Sequence, residues 1–218
     1  MNKLIVFGVS GRMGQQICGL AKQNKKWQLT DQIGECTVAI DFSAPSGTEK
    51  YVALALKHKK PIVVGTTGLD QQQQNAIAEA AQTIPIVTSP NMSVGMNVLF
   101  KLVAEAAKAM GPDYAIEISE THHSDKIDKP SGTAKKIGEI VEQRTQKKLP
   151  ITSIREGKVI GDHTIVFGND AERLTLFHTA LDRRVFAEGA LRAAEWVIGK
   201  RPGLYSMAQV LGLEQLSS

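Results

Sequence analysis

The densest chemistry in the chain lies in Glu120-Thr121-His122-His123-Ser124-Asp125-Lys126-Ile127-Asp128-Lys129-Pro130-Ser131-Gly132-Thr133-Ala134. Histidine has an unperturbed pKa of about 6.5, so the adjacent pair can give or take a proton near neutrality. Lys126 can donate a proton or hold a carboxylate. Pro130 stops whatever precedes it. Ser131-Gly132-Thr133 then reads as the opening of a helix, where N–H and hydroxyl donors suit an anion. A substrate with two carboxylates would use all of these groups. Another reading stays open: one histidine could simply satisfy a buried backbone group. Metal ligation fits poorly. Adjacent histidines point in different directions, and no His-x-x-x-His or nearby cysteine completes a ligand set.

A second candidate lies near the N-terminus. Leu4-Ile5-Val6-Phe7 is a continuous apolar run of the kind that forms a buried parallel strand. Gly8-Val9-Ser10-Gly11-Arg12-Met13-Gly14 follows at once, and Ile17, Cys18, Leu20 and Ala21 then recur at helical spacing. Strand, glycine turn and helix together are the setting for dinucleotide binding. Glycines let the backbone approach a pyrophosphate, and the helix start supplies N–H groups for it. The pattern is G-x-x-G-x-x-G, with Ser10 where a middle glycine is usual. An ordinary strand-to-helix turn is the alternative. A P-loop is disfavoured because no Gly-Lys-Ser/Thr follows. An acid about 20 residues on should hold the adenosine ribose. Asp31 and Glu35 are the candidates, and neither spacing decides between them or against both.

The elements that must position these groups alternate. Strands are expected at Trp27–Thr30, Thr37–Ser43, Pro61–Val64 and Ile84–Val87. Helices are expected from Pro45 to Lys60 and after a cap at Asp70. The strand ends Gly8–Met13, Asp41–Ser43, Gly65–Gly68 and Ser89–Met92 are rich in glycine, hydroxyl or amide groups. Ligands bind at such carboxyl ends. From Val98 the pattern changes. A long amphipathic helix ends near Gly111-Pro112, and Tyr114–Glu120 alternates with period two. A helix runs from about Ser131 to Lys147-Lys148, followed by strand-like Thr152–Arg155, Thr164–Phe167 and Arg173–Ala180. A helix at Phe186–Ile198 is expected to cover this second sheet. The apolar tail Met207–Leu216 is expected to pack on the first domain.

Composition sets outer limits. In 218 residues, 42% hydrophobic and 22% charged, there is room for one large domain or two small ones. The net charge of +4 comes from scattered basic residues, which argues against a nucleic-acid partner. Cys18 and Cys36 have no motif spacing and fit a reducing cytoplasm. No apolar run reaches the roughly 20 residues of a membrane span, and no signal peptide is expected.

The run Glu120–Ala134, E-x-H-H-x-x-K-x-D-x-P-S-G-T-A, resembles the signature of the 4-hydroxy-tetrahydrodipicolinate (dihydrodipicolinate) reductase family, in a short form. Gly8–Gly14, Ala39–Ser43, Gly65–Gly68, Asn91–Asn97 and Phe186–Trp196 are similar to the family in order. The resemblance implies an α/β architecture. A Rossmann-like, parallel-sheet dinucleotide-binding domain would take 1–93 and about 200–218. An α+β substrate and oligomerisation domain with a mostly antiparallel sheet would take 94–199. It implies reduction of 4-hydroxy-tetrahydrodipicolinate with NADH and/or NADPH, in diaminopimelate and lysine biosynthesis, by a homotetramer. Gly8, Val9, Ser10, Gly11, Arg12 and Met13 would bind the pyrophosphate. Gly65, Thr66, Thr67, Ser89, Pro90, Asn91 and Met92 would line the nicotinamide side. His122 and Lys126 would be catalytic, with His123, Ser131, Gly132 and Thr133 on a small dicarboxylate substrate. Two departures bear on the cofactor. Trp27–Val38 is too short for the ribose-reading segment of longer members, and Ala44 stands where some relatives have an arginine. The choice between NADH and NADPH stays open. Two competing readings are another NAD(P)-linked amino- or keto-acid dehydrogenase and a non-catalytic dinucleotide sensor. Neither requires the His-His-x-x-Lys run.

Overall fold

The computed structural model describes residues 1–111 and 113–213. Pro112 and the part of the apolar tail beyond residue 213 lie outside the described residues. In chain order the elements are β1 (Asn2–Phe7), α1 (Arg12–Gln23), β2 (Trp27–Leu29), β3 (Val38–Asp41), α2 (Pro45–Lys57), β4 (Ile62–Val64), α3 (Gln71–Ala80) and β5 (Pro85–Thr88). Next come α4 (Val94–Met110), β6 (Ala115–His122), α5 (Gly132–Thr145), β7 (Ile151–Arg155), β8 (Asp162–Gly168) and β9 (Arg173–Thr179). The chain ends in α6 (Arg184–Val197), β10 (Gly203–Tyr205) and α7 (Met207–Leu211). It divides into two compact units, Met1–Val94 with Arg184 onward, and Gly95–Arg183.

The first unit is built on a six-stranded sheet in the order β10-β5-β4-β3-β1-β2, parallel throughout. Its strands read as unbroken apolar runs because both faces are covered. Side chains alternate across a strand. Leu4 and Val6 therefore join Val38, Ile40, Val63 and Val87 against α1 and α6. Ile5, Phe7, Ala39, Ile62, Val64 and Ile86 join the opposite core against α2 and α3. Asp70 caps α3 as expected, in a reciprocal capping box with Gln73.

Two features depart from the sequence reading. The helix expected over the second sheet is α6, which belongs to the first unit. Its small buried residues Ala187, Gly189, Ala190, Ala193 and Ala194 let it lie close on the parallel sheet. The second is β10, a short strand that pairs with β5 and carries the chain into α7. Its strand Gly-Leu-Tyr is too short to leave a periodic signal. The connection from β2 to β3 passes β1 using residues 30–37 alone, without a helix. Parallel crossovers normally take a dozen residues or more.

The second unit holds a four-stranded sheet ordered β7-β6-β8-β9. β6 pairs with β7 in parallel; β6–β8 and β8–β9 are antiparallel. One face, carrying Ile118, Ile165 and Phe167, packs under Met96, Leu99 and Val103 of α4 and Ile137 and Val141 of α5.

Among the described glycines the tightest site is Gly189, where a Cβ would sit 1.8 Å from the Met92 carbonyl oxygen. Overpacking commonly costs 1–3 kcal/mol and occasionally more. Gly189→Ala is therefore expected to lose about 3 kcal/mol in a denaturant titration. A loss below about 1 kcal/mol would show that α6 can retreat freely.

Candidate active site

The expected cofactor residues gather at one edge of the parallel sheet, where β1, β3, β4 and β5 end. The order β2-β1-β3 puts a topological switch beside β1, the usual ligand crevice in such sheets. Gly8 has φ +82°, and a Cβ on it would lie 2.4 Å from the Phe42 carbonyl oxygen, so the turns after β1 and β3 touch. The Gly11 amide donates to the Gly8 carbonyl at 3.0 Å and tightens the turn. A Cβ on Gly14 would meet that same carbonyl oxygen at 2.2 Å. Gly11 is the N-cap of α1 and brings no side chain to the helix start. Val9, Ser10, Gly11 and Arg12 are exposed, with Gly8 and Met13 half-buried behind them. A cramped glycine turn, with an uncapped helix start behind it, fits a pyrophosphate.

A residue that the sequence places at a strand end, without a role of its own, organises this edge. Asp41 is fully buried at the end of β3. Its carboxylate accepts from the Ser43 amide at 3.0 Å, from Thr48 Oγ1 at 2.6 Å and from Thr66 Oγ1 at 3.0 Å. It thereby ties α2 and the Gly65-Thr66-Thr67 turn to β3. A Cβ on Gly65 would lie 2.2 Å from the Phe42 ring. Thr67 is exposed. Ser89 Oγ donates to the Asn91 carbonyl at 2.7 Å across Pro90, and Met92 is buried. Of the two candidate ribose acids, Asp31 is exposed just past β2. Glu35 is ion-paired with Lys3 at 2.7 Å, at the start of β1 and away from the glycine turn.

The second cluster lies in the other unit. His122 is the last residue of β6 and is 8% exposed. Its register partner on β7 is Arg155. Glu120, two residues earlier on the same face, pairs with His163 of β8. The Glu120 side chain is sealed from solvent. It takes Arg155 Nη1 on Oε2 at 3.0 Å and Nη2 on Oε1 at 2.9 Å, the Ser131 amide on Oε1 at 3.3 Å, and His122 Nδ1 on Oε2. His163 meets the His122 ring edge-on, with centroids 5.2 Å apart, and its Nε2 is 3.4 Å from Ser131 Oγ. A Cβ on Gly161 would lie 3.0 Å from His122 Nε2, so glycine keeps that nitrogen uncrowded.

Lys126 Nζ is paired with Asp128 at 2.6 Å. His123 is half-buried; among the described residues its Nδ1 has no hydrogen-bond partner, and it lies 4.0 Å from Asp125. Ser131 caps α5 by accepting from the Ala134 amide at 3.2 Å. Gly132 and buried Thr133 form the first turn of α5, at the positive end of its dipole. The structure thus brings His122, Lys126, Ser131, Gly132 and Thr133 to one end of the second sheet. Sequence reasoning gave no role to Glu120, Arg155, His163 or Asp128. The signal that could have found Glu120 is the period of two it shares with His122 once β6 is continued to His122. Arg155 and His163 reach the cluster through strand register alone.

Electrostatics follow from this packing. Burial alone would raise the Glu120 carboxyl, but hydrogen bonds led by Arg155 hold it at about 2. Burial lowers His122, and the charges of Lys126 and Arg155 push the same way, while Glu120 opposes them. Burial, reinforced by His122, holds His163 down at about 3.

Residues 28–92 match the family model described as "Dihydrodipicolinate reductase, N-terminus", and residues 95–211 match "Dihydrodipicolinate reductase, C-terminus". This chain belongs to the dihydrodipicolinate reductase family. A 4-hydroxy-tetrahydrodipicolinate reductase of Akkermansia muciniphila is 42% identical, covering 99% of this chain and all of the relative. One from Syntrophus aciditrophicus is 36% identical over 97% of this chain and 99% of its own. The Akkermansia alignment runs over 246 positions against 218 residues here, so the relative has segments without a counterpart. Among solved structures, a dipicolinate-bound dihydrodipicolinate reductase from Paenisporosarcina sp. TG-14 shares the fold, with a TM-score of 0.78 over 96% of this chain and 98% of that one, at 22% identity.

His163 gives a pH prediction. Its folded pKa, about 3, is below the usual 6.5. The unfolded chain therefore binds a proton that the folded chain refuses. This contribution to stability is whole above pH 6.5 and is lost as the pH falls towards 3. The thermal midpoint should drop across that window, and His163→Gln should drop less steeply. Parallel slopes for the two proteins would show that His163 ionises freely.

Proposed function

We propose that this family member reduces 4-hydroxy-tetrahydrodipicolinate to tetrahydrodipicolinate, in the diaminopimelate route to lysine, with the proton-handling groups at the end of β6. The observation that carries this reading is the placement of His122, Lys126 and the start of α5 at one end of the second sheet. The bound nicotinamide dinucleotide, NADH or NADPH, supplies a hydride. The substrate gains that hydride and loses its hydroxyl as water, so the chain must deliver one proton. Lys126 is the proton donor, set by Asp128. His122 gives or takes a proton through Nε2, since Nδ1 faces Glu120. His123 and the donors of Ser131, Gly132 and Thr133 hold the carboxylates of a small dicarboxylate. In the first unit, Gly8 to Met13 hold the pyrophosphate, and Gly65, Thr66, Thr67, Ser89, Pro90, Asn91 and Met92 line the nicotinamide side. Asp31 is the better placed of the two ribose candidates.

The first unit is thus the dinucleotide-binding domain and Gly95–Arg183 the substrate domain. Among the described residues no helix is long and apolar enough to cross a membrane. Free Cys18 and Cys36 suit the reducing cytoplasm, where we place the protein. The outer face of the second sheet bears Ile154, Val166 and Phe177, and Phe177 is 57% exposed. Further copies of this chain would cover that face in a homotetramer.

NADH and NADPH oxidation should each be followed with substrate generated in situ from pyruvate and aspartate semialdehyde. Folded protein that binds NADH yet never oxidises it would defeat the reductase reading. Lys126→Ala should lower turnover by roughly 10²–10⁴-fold with NADH binding retained. Near-normal turnover would remove Lys126 from the reaction. Phe177→Glu should shift the particle from tetramer to smaller species in light scattering; an unchanged mass would place the interface elsewhere.

A further inference from the structure

We propose that Glu120 and Arg155 are positioning residues: Glu120 decides which nitrogen of His122 carries the proton, and Arg155 ties that carboxylate to the loop bearing Lys126. The inference rests on the reading of His122 and Lys126 as the proton-handling groups.

The argument begins with donor and acceptor inventory. An ionised carboxylate only accepts. Glu120 Oε2 faces His122 Nδ1, so Nδ1 must carry the hydrogen. Nε2 is then bare, on the side that Gly161 keeps open. Both charges of the pair are withdrawn from water, with side chains 0% and 7% exposed for Glu120 and Arg155.

Arg155 does more than neutralise Glu120. Its Nη2 also donates to the Asp128 carbonyl at 2.6 Å, and its Nε to the Lys126 carbonyl at 3.3 Å. Its Nη1 donates to the Ile154 carbonyl at 2.6 Å as well. One rigid fork therefore fixes the Glu120 carboxylate and the backbone on which Lys126 and Asp128 stand. A lysine could not, because its ammonium is a single point of donors. The groups that face His122 are Glu120 on β6, Arg155 on β7, His163 on β8 and Lys126 in the loop. Of these, Glu120 alone is an anion.

Glu120→Gln tests the orientation. Oε1 receives two donors that cannot change role, Arg155 Nη2 and the Ser131 amide, whereas Oε2 receives one, Arg155 Nη1, beside the His122 nitrogen, so the amide oxygen of glutamine should settle at Oε1. Its NH₂ then faces His122 Nδ1, which must turn acceptor, and the ring proton moves to Nε2. Loss of the correct tautomer in a serine-protease triad costs about 10⁴ in kcat. Here a fall of about 10²-fold or more is expected, with KM for NADH little changed. Arg155→Lys should lower kcat by about 10–100-fold, the range for losing the partner that orients a metal-bound histidine, taken here as the scale for an orienting contact. Imidazole nitrogen shifts read the tautomer without turnover. Wild-type protein should show His122 protonated on Nδ1, and Glu120→Gln on Nε2.

A wild-type His122 protonated on Nε2 would overturn the inference even if neither variant folds. So would a Glu120→Gln enzyme with unchanged kcat and pH profile. A wild-type protein with the expected tautomer but no reductase activity would instead defeat the functional reading and leave the orientation intact.

Discussion

The buried carboxylate of Glu120 constrains the second unit more than any other group. An anion withdrawn from water costs several kcal/mol unless it is paired and its lone pairs are filled. Glu120 meets that demand with Arg155 from β7, His122 from β6 and the Ser131 amide at the start of α5. These partners come from three separate elements. The demand therefore fixes the β6–β7 register, the entry of α5, and the path of residues 123–130 between them. A slip of one residue along β6 would turn Glu120 and His122 to the other face together. It would leave Arg155 buried without its anion.

The first unit solves a similar problem with Asp41. It too is a buried carboxylate at a strand end, but its partners are two hydroxyls and an amide. No cation neutralises it among these contacts. Hydrogen bonds to Ser43, Thr48 and Thr66 lock the turns after β3 and β4 into place. The glycines at 8, 14 and 65 then bring these turns and α1 together at distances no Cβ would permit. The rigid edge that results is suited to hold a flexible dinucleotide, because little ordering is left to be done on binding.

Economy marks the chain elsewhere. Residues 30–37 cross from β2 to β3 without a helix. The strand they leave is three residues long, and the N-cap of α2 is Ala44, which has no basic side chain. This bare crossing lies in the part of the fold that normally meets the adenosine end of a dinucleotide. The glycine turn and the Asp41 network are complete.

The order of strands and helices to residue 93 was legible in the sequence, because two covered faces force continuous apolar strands. The glycine turn and the Glu120–Ala134 run were legible because local chemistry concentrates there. The pairing of Glu120 with His122 on one face follows from the period of a strand only once β6 is seen to run on to His122. Other features were decided only in three dimensions. Arg155 and His163 lie 33 and 41 positions from His122 in sequence, and only the register of β7 and β8 against β6 delivers them to it. The return of α6 to the first unit has the same cause: its stripe of small residues suits any flat apolar surface, and the choice of surface is a matter of tertiary packing. Local patterns specify which face of an element is buried, but the partner on that face is selected by the whole chain's folding.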